Sequence, residues 1–293
     1  MHRNLTDDFI EDLYGLSDSS FTESNKSQAL KCFLDYLGVT LAGSKVLKSK
    51  HMKLYQLMGG NGEFPLIGLN QRSSIQSSIF INGLSSHVAE LDDGVISGSI
   101  HPGSPLFSSL VSIAQREKSS GSDFIRATII GYEAIVRLAK TVQPSHKEMG
   151  YHATGTCGAL GTAIGNSILL GLSKEEMKNA FSNAIIAAGG SLKAIDDSSE
   201  LKPYNVANAA LNGFQSVCMA QSGFTGPLNA LSGSRGFLSL MSNDQNISEL
   251  FTKGIDDLAI HKVYVKPYAA CRYCHPAIDT VLEIRNNYAL DPK

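Results

Sequence analysis

Glu90, Asp92 and Asp93, with His87 and His101, fall within the nineteen residues HVAELDDGVISGSIHPGSP. Carboxylates and imidazoles gathered in one polar stretch are the side chains that proton transfer, or the handling of a polycarboxylate, requires. Taken alone, such a stretch reads more readily as a solvated loop with helix caps. Similar polar, glycine-containing segments recur at 150–156, 198–205 and 264–276, and they bring Tyr151, His152, Lys202 and Lys266. Lysines are cationic clamps for carboxylates, and a histidine beside them can act as acid or base. The ordinary readings are surface lysines and capping or core histidines. Asp92 and Asp93 suit the orienting of a histidine or lysine better than nucleophilic attack.

The elements that must position these residues are helical. Apolar residues recur at three and four over 5–16 and 24–43, the second capped by Ser24 or Asn25, faced by Leu30, Phe33, Leu34, Leu37 and Leu41, and stopped by Gly43. Further helices are expected over 47–58, 73–91, 105–115 and 120–142, with a short strand at 64–68. The acids 90, 92 and 93 then lie at a helix C-terminus, where the dipole disfavours negative charge and something must offset it. Gly155, Gly158, Gly161 and Gly165 form a small-residue ridge that predicts a tightly packed central helix. Its start places unpaired N–H groups beside Tyr151 and His152, an anion site in waiting. Ser173 and Glu176 make a capping box for the next helix, and Pro203 opens another with Lys202 at its mouth. From 259 the residues turn β-rich before a last helix over 277–288, and a boundary is placed in the charged stretch 245–258.

Composition narrows the function. The 293 residues can bury a full core, and a net charge of −2 with scattered lysine and arginine leaves no footprint for nucleic acid. The first twenty residues lack an apolar signal core and no apolar run approaches eighteen, so a soluble, cytoplasmic protein without membrane contact is expected. The five cysteines are expected as free thiols. Cys271-Arg-Tyr-Cys274-His275 matches a haem-attachment pattern, but no export signal and no second metal-like cluster accompany it. Cys271, Cys274 and His275 are read as packing and helix-start residues, and neither metal nor cofactor is expected.

Taken together, ELDDG…HPG, GYHATGTCGALGTAIG, LKPYNVANAALNG and VKPYAACRYCHPAID resemble the MmgE/PrpD family, from about Leu30 onward. That family includes 2-methylcitrate dehydratase, cis-aconitate decarboxylase and iminodisuccinate epimerase. The resemblance implies a mainly α fold: an all-helical domain over 1–255, then the beginning of a small α/β lid domain over 256–293, with the site between them in a homodimer. It implies catalytic roles for His101, His152, Tyr151, Asp93 and Lys202, and substrate-binding roles for Glu90, Asp92 and Lys266. Glu90 stands where the decarboxylase has aspartate, Gly94 where decarboxylase and dehydratase have threonine, and Val95-Ile96 where one branch has His-Arg. Family members are longer than this chain. The expectation is a cofactor-free lyase of the 2-methylcitrate dehydratase kind, moving a proton beside a carboxylate of a small di- or tricarboxylate. The alternatives are an epimerase of the iminodisuccinate kind, which Tyr151 and the Asp-Asp-Gly variant favour, and a truncated member that binds ligand or dimerises without turnover.

Overall fold

The computed structural model describes residues 4–58, 60–251 and 254–288. Residues 1–3, 59, 252–253 and 289–293, which fall within the expected domains and the 245–258 boundary, lie outside the described residues. The elements run α1 (Leu5–Ser17), α2 (Glu23–Val46), α3 (Lys48–Leu57), β1 (Phe64–Leu66), β2 (Gln71–Ser73), α4 (Ile75–Val88), α5 (Gly103–Glu117), α6 (Gly121–Val142), α7 (Ser145–Glu148), α8 (Ala153–Leu169), α9 (Lys174–Ile186), α10 (Lys193–Asp196), α11 (Lys202–Gln221), α12 (Phe237–Met241) and α13 (His275–Asn287). The protein is mainly α. Its sheet is one hairpin, β1 antiparallel to β2 with Pro65 opposite Arg72.

The centre of the fold is α8, which packs against α5, α6, α9 and α11. Nearly every residue of α8 is buried, as the glycine ridge predicts. A Cβ built at Gly161 would stand 2.2 Å from Ile135 Cγ1 and 2.7 Å from the Ile135 backbone nitrogen. That nitrogen belongs to a helix and cannot swing aside as a side chain could. Gly161→Ala is therefore expected to cost about 1–3 kcal/mol by overpacking, although alanine is the better helix former. A fall in the urea midpoint at unchanged m-value would show it; a midpoint at or above wild type would mean that α6 and α8 are not this close.

Helix α4 is buried on nearly all sides despite its serines. Their hydroxyls turn inward onto backbone oxygens: Ser85 to Ile81 at 3.1 Å, Ser86 to Gly83 at 2.9 Å, and Ser78 to Pro65 at 2.9 Å. Each buried hydroxyl thus keeps a partner, which is the condition for burying it at all.

Several local expectations need correction. Thr22 caps α2, accepting from the Asn25 amide at 3.2 Å, and the helix runs through Gly43 to Val46. Its apolar stripe is only partly its buried face: Phe33 and Leu37 pack against the core, but Leu30, Leu34 and Leu41 are 52, 71 and 47% exposed, while Ala29, Cys32, Tyr36 and Val39 are buried. Gly43 lets α2 approach α4 closely, since a Cβ there would stand 1.9 Å from the Ser85 backbone oxygen. The segment from 259 forms no strand among the described residues. Residues 259–262 make a 3-10 turn, and the only β pairing there is an isolated bridge between Tyr264 and Gly94. Leu258, Ala259 and Ile260 are buried in the helical core, and Ala259 donates its amide to Glu133. Among the described residues no helix is long and apolar enough to cross a membrane.

Candidate active site

A cavity of about 300 Å³ opens where the loop after α4, the start of α8, the start of α11 and the 264–276 segment meet. Glu90, His101, Tyr151, His152, Lys202 and Lys266 all line it. Six of the eight expected site residues, separated by up to 176 positions, therefore share one cavity. Asp92 and Asp93 lie behind its wall.

The acids are placed by the end of α4. The helix stops at Val88, and Glu90 takes a left-handed conformation, φ +53°, that turns the chain back on itself. Its carboxylate is ion-paired with Lys202 and lies 3.7 Å from Lys266 Nζ, and its backbone oxygen accepts from that same amine at 2.9 Å. Burial alone would raise the Glu90 carboxyl; His87, Lys202 and Lys266 together hold it below the ordinary range. Glu90 thus anchors the two ammonium groups. Each ammonium has three donors, so protons remain for an incoming carboxylate.

Asp92 supplies the offset that its position at a helix C-terminus demands. It accepts from His87 Nδ1 at 2.7 Å and from Ser104 Oγ at 2.9 Å, and it lies 3.7 Å from His101 Nδ1 and 3.8 Å from Lys266 Nζ. Burial works against its charge, but His87, His101 and Lys266 prevail and hold the carboxyl well below its usual range. His87 sits in the last turn of α4, where positive charge suits the dipole. Its ring is fully buried and packs against both His101 and His152, at centroid distances of 5.2 and 5.7 Å.

Asp93, expected to be catalytic, faces the other way. Its carboxylate accepts from Tyr132 Oη at 2.6 Å and from the Gly103 amide at 3.1 Å, inside a cluster with Cys32 and Asp35. What it offers the site is its backbone oxygen, which accepts from His101 Nδ1 at 2.6 Å. Burial first, then Asp92 and Asp35, push this carboxyl up to about 7 against the Tyr132 hydrogen bond. Between an unfolded value of about 4 and about 7, the folded chain binds a proton that the unfolded chain does not. Stability must then fall as pH rises through that window. Asp93→Asn keeps an acceptor and a donor for Tyr132 and Gly103 without the charge. Its melting temperature should lose much of the wild-type decline between about pH 4 and 7; an equally steep decline would assign the effect to another group.

The two cavity histidines are fixed in complementary forms. His101 gives its Nδ1 proton to a carbonyl, which leaves Nε2 as an acceptor when the ring is neutral, and burial pushes the ring down to about 4. His152, the N-cap of α8, is approached at Nδ1 by Asn205 Nδ2 at 3.2 Å. The same amide nitrogen donates to Ser191 O at 3.0 Å, so it is the NH₂ end that faces His152. Nδ1 of His152 therefore accepts and Nε2 carries the proton. Burial first, then the neighbouring His87, His101 and Lys202, hold His152 well below the ordinary histidine value. At neutral pH the cavity thus holds one imidazole ready to accept a proton and one ready to donate. Tyr151 stacks on His146 at 5.0 Å, within the same cavity wall.

Sequence reasoning noted His87 without giving it a site role, and passed over Asn205 and Tyr264. For Tyr264 a signal existed in Gly94. The two residues exchange backbone hydrogen bonds at 3.1 and 2.9 Å, and a Cβ at position 94 would stand 2.4 Å from Tyr264 Oη. The phenol occupies the space that any side chain at 94 would fill. Cys271 and Cys274 are exposed thiols, and buried His275 opens α13. Among the described residues no group of three or more His, Cys, Asp or Glu side chains is arranged to hold a metal ion.

Residues 13–250 match the profile of the MmgE/PrpD N-terminal domain. A cis-aconitate decarboxylase-like protein, oryM, of Aspergillus oryzae is 26% identical across 97% of this chain and 62% of its own length. The cis-aconitate decarboxylase of Homo sapiens is 26% identical across 83% of the chain and 51% of its own length; that of Aspergillus terreus is 25% identical across 87% and 55%. The chain spans roughly half to three-fifths of the length of these relatives. With the profile covering most of its residues and the family's polar motifs gathered around one cavity, the chain belongs to the MmgE/PrpD family.

Proposed function

We propose that this site is that of a lyase acting on a small di- or tricarboxylate by acid–base proton transfer beside a carboxylate, without a cofactor. One observation carries the reading: an accepting His101 Nε2 and a donating His152 Nε2 share a cavity with the ammonium groups of Lys202 and Lys266. The lysines bind substrate carboxylates and so stabilise the charge that develops when a neighbouring carbon loses its proton. In a dehydration of the 2-methylcitrate kind, His101 Nε2 takes the proton from that carbon. The electron pair forms the new double bond, and the departing hydroxyl takes the His152 Nε2 proton to leave as water, the imidazolate so formed regaining a proton from the His101 imidazolium. Elimination needs an acceptor and a donor at once, and the histidine pair offers both.

A second reading, decarboxylation of a cis-aconitate-like acid, is favoured by the relatives, which are cis-aconitate decarboxylases or decarboxylase-like. That reaction breaks a carbon–carboxylate bond and protonates carbon, so it leans on the donor alone.

Proton NMR in deuterated buffer with citrate, 2-methylcitrate and cis-aconitate separates the two. Loss of water from a citrate with deuterium exchange at its methylene supports the first; deuterium gained by cis-aconitate with release of carbon dioxide supports the second. A folded chain that does neither, yet binds these acids, would be a ligand-binding member of the family without turnover.

A further inference from the structure

Cys271-Arg-Tyr-Cys274 is a motif that proton transfer at the cavity floor leaves unused. His275, which completes the haem-like pattern, is buried, with Nε2 3.2 Å from the Ala270 oxygen. What the pattern exposes is its two thiols. Residues 272–274 form a 3-10 turn that runs straight into α13, and Cys271 is the N-cap of that turn. Cys274 is then at the third helical position, and its amide donates to the Cys271 oxygen at 2.9 Å. Side chains at the N-cap and the third position meet over the start of a helix. Two other helix starts of this chain show the contact: Ser120 Oγ is 2.7 Å from Asp123 Oδ2, and Ser173 Oγ is 2.7 Å from Glu176 Oε2. A 3-10 turn also sets its end Cα atoms about 6 Å apart, within the span that a disulfide bridges.

The two residues between the thiols are held in place. Lys147 on α7 lies 4.7 Å from the Tyr273 ring centroid and donates to its Oη at 3.4 Å, and Arg272 Cζ is 5.6 Å from the Tyr264 centroid. The turn is therefore shaped before any bond forms, with two cations beside it. Exposed thiols near positive charge, at a helix start or in a Cys-X-X-Cys pair are the ones that react with disulfides. The other three cysteines are set apart from this chemistry. Cys32 and Cys157 are buried, and burial pushes both thiols up to about 12; Cys218 is half-buried and is raised for the same reason.

We propose that Cys271 and Cys274 form a thiol–disulfide exchange site at the mouth of the cavity, which takes small-molecule disulfides of the glutathione class. Cys271, which lines the cavity, attacks one sulfur of that disulfide as the thiolate; the sulfur–sulfur bond breaks and one small thiolate leaves. The Cys274 thiolate then attacks the Cys271 sulfur, closes the internal disulfide and releases the second small thiolate. The protein gives up two electrons and two protons, and the small disulfide becomes two thiols. This chemistry is independent of the lyase reading.

The test is incubation of the folded chain with glutathione disulfide, followed by mass spectrometry under non-reducing conditions. Wild type should lose two hydrogens between Cys271 and Cys274 and keep no adduct. Cys274→Ser should stop at the mixed disulfide, with one glutathione on Cys271. Cys271→Ser should react roughly tenfold more slowly than Cys274→Ser, or slower still. Cys32, Cys157 and Cys218 should remain thiols in all three proteins. A lasting adduct on wild type, a disulfide between two chains, or equal adduct rates in the two serine variants would overturn the proposal and leave two ordinary surface thiols.

Discussion

His101→Asn is expected to lower kcat by roughly 10²- to 10⁴-fold, the range over which a positioned acid or base acts. The asparagine NH₂ can still donate to the Asp93 carbonyl, so the loop after α4 keeps its anchor and the loss falls on chemistry. The pH profile distinguishes this role from a structural one. A base must be unprotonated, and burial, only partly offset by Asp92, pushes the His101 ring down to about 4 from an ordinary value of 6.5. The acid limb of kcat/KM should therefore fall near pH 4, and activity should be flat through the region where a solvated histidine titrates. In His101→Asn that limb should vanish along with the rate. A wild-type limb near 6.5, or a variant within threefold of wild type, would remove His101 as the base.

The fold and the site were legible to different depths for physical reasons. The ridge Gly155–Gly165 announces α8 because close helix packing leaves its mark in consecutive small residues of one segment. The burial of α2 is not announced in this way. Three of its leucines point outward, and the face it buries follows the close approach of Gly43 to Ser85 on α4. In the site, the ionisable residues His101, His152, Lys202 and Lys266 can be picked out singly, since each stands in a polar motif between apolar helices. What they do there depends on partners that carry no such mark. The proton on His101 is set by a backbone oxygen, and that on His152 by an asparagine 53 residues away. Adjacent Asp92 and Asp93 look equivalent in sequence, yet one is held ionised by His87 and Lys266 while burial keeps the other near neutrality. Neighbouring side chains that leave a loop in opposite directions meet different surroundings, and only the packing of α2, α5 and α6 around that loop decides which is which.

Asp92→Ala carries the largest expected loss of stability, about 3–5 kcal/mol, because it removes one partner of a buried ionic group and leaves the others. The His87 ring is fully buried, the Lys266 side chain is fully buried, and Ser104 is nearly so. Without the carboxylate, His87 Nδ1 loses its acceptor, the Ser104 hydroxyl keeps only the Ser86 carbonyl, and the Lys266 ammonium loses one of its counter-charges. Asp92→Asn should cost less, since its amide oxygen can still accept from His87 Nδ1. The pH dependence has a definite sign. The folded carboxyl is depressed, so its contribution is present above the unfolded value of about 3.9 and is lost as pH falls below it. Wild type should therefore converge on Asp92→Asn in acid and separate from it above about pH 5. The partner is identified by a double-mutant cycle with His87→Ala. If the two side chains act through their 2.7 Å hydrogen bond, the double variant loses clearly less than the sum of the singles. Strict additivity, or an Asp92→Ala chain within 1 kcal/mol of wild type by urea denaturation, would mean that the loop after α4 is held by Glu90 and the Asp93 backbone instead.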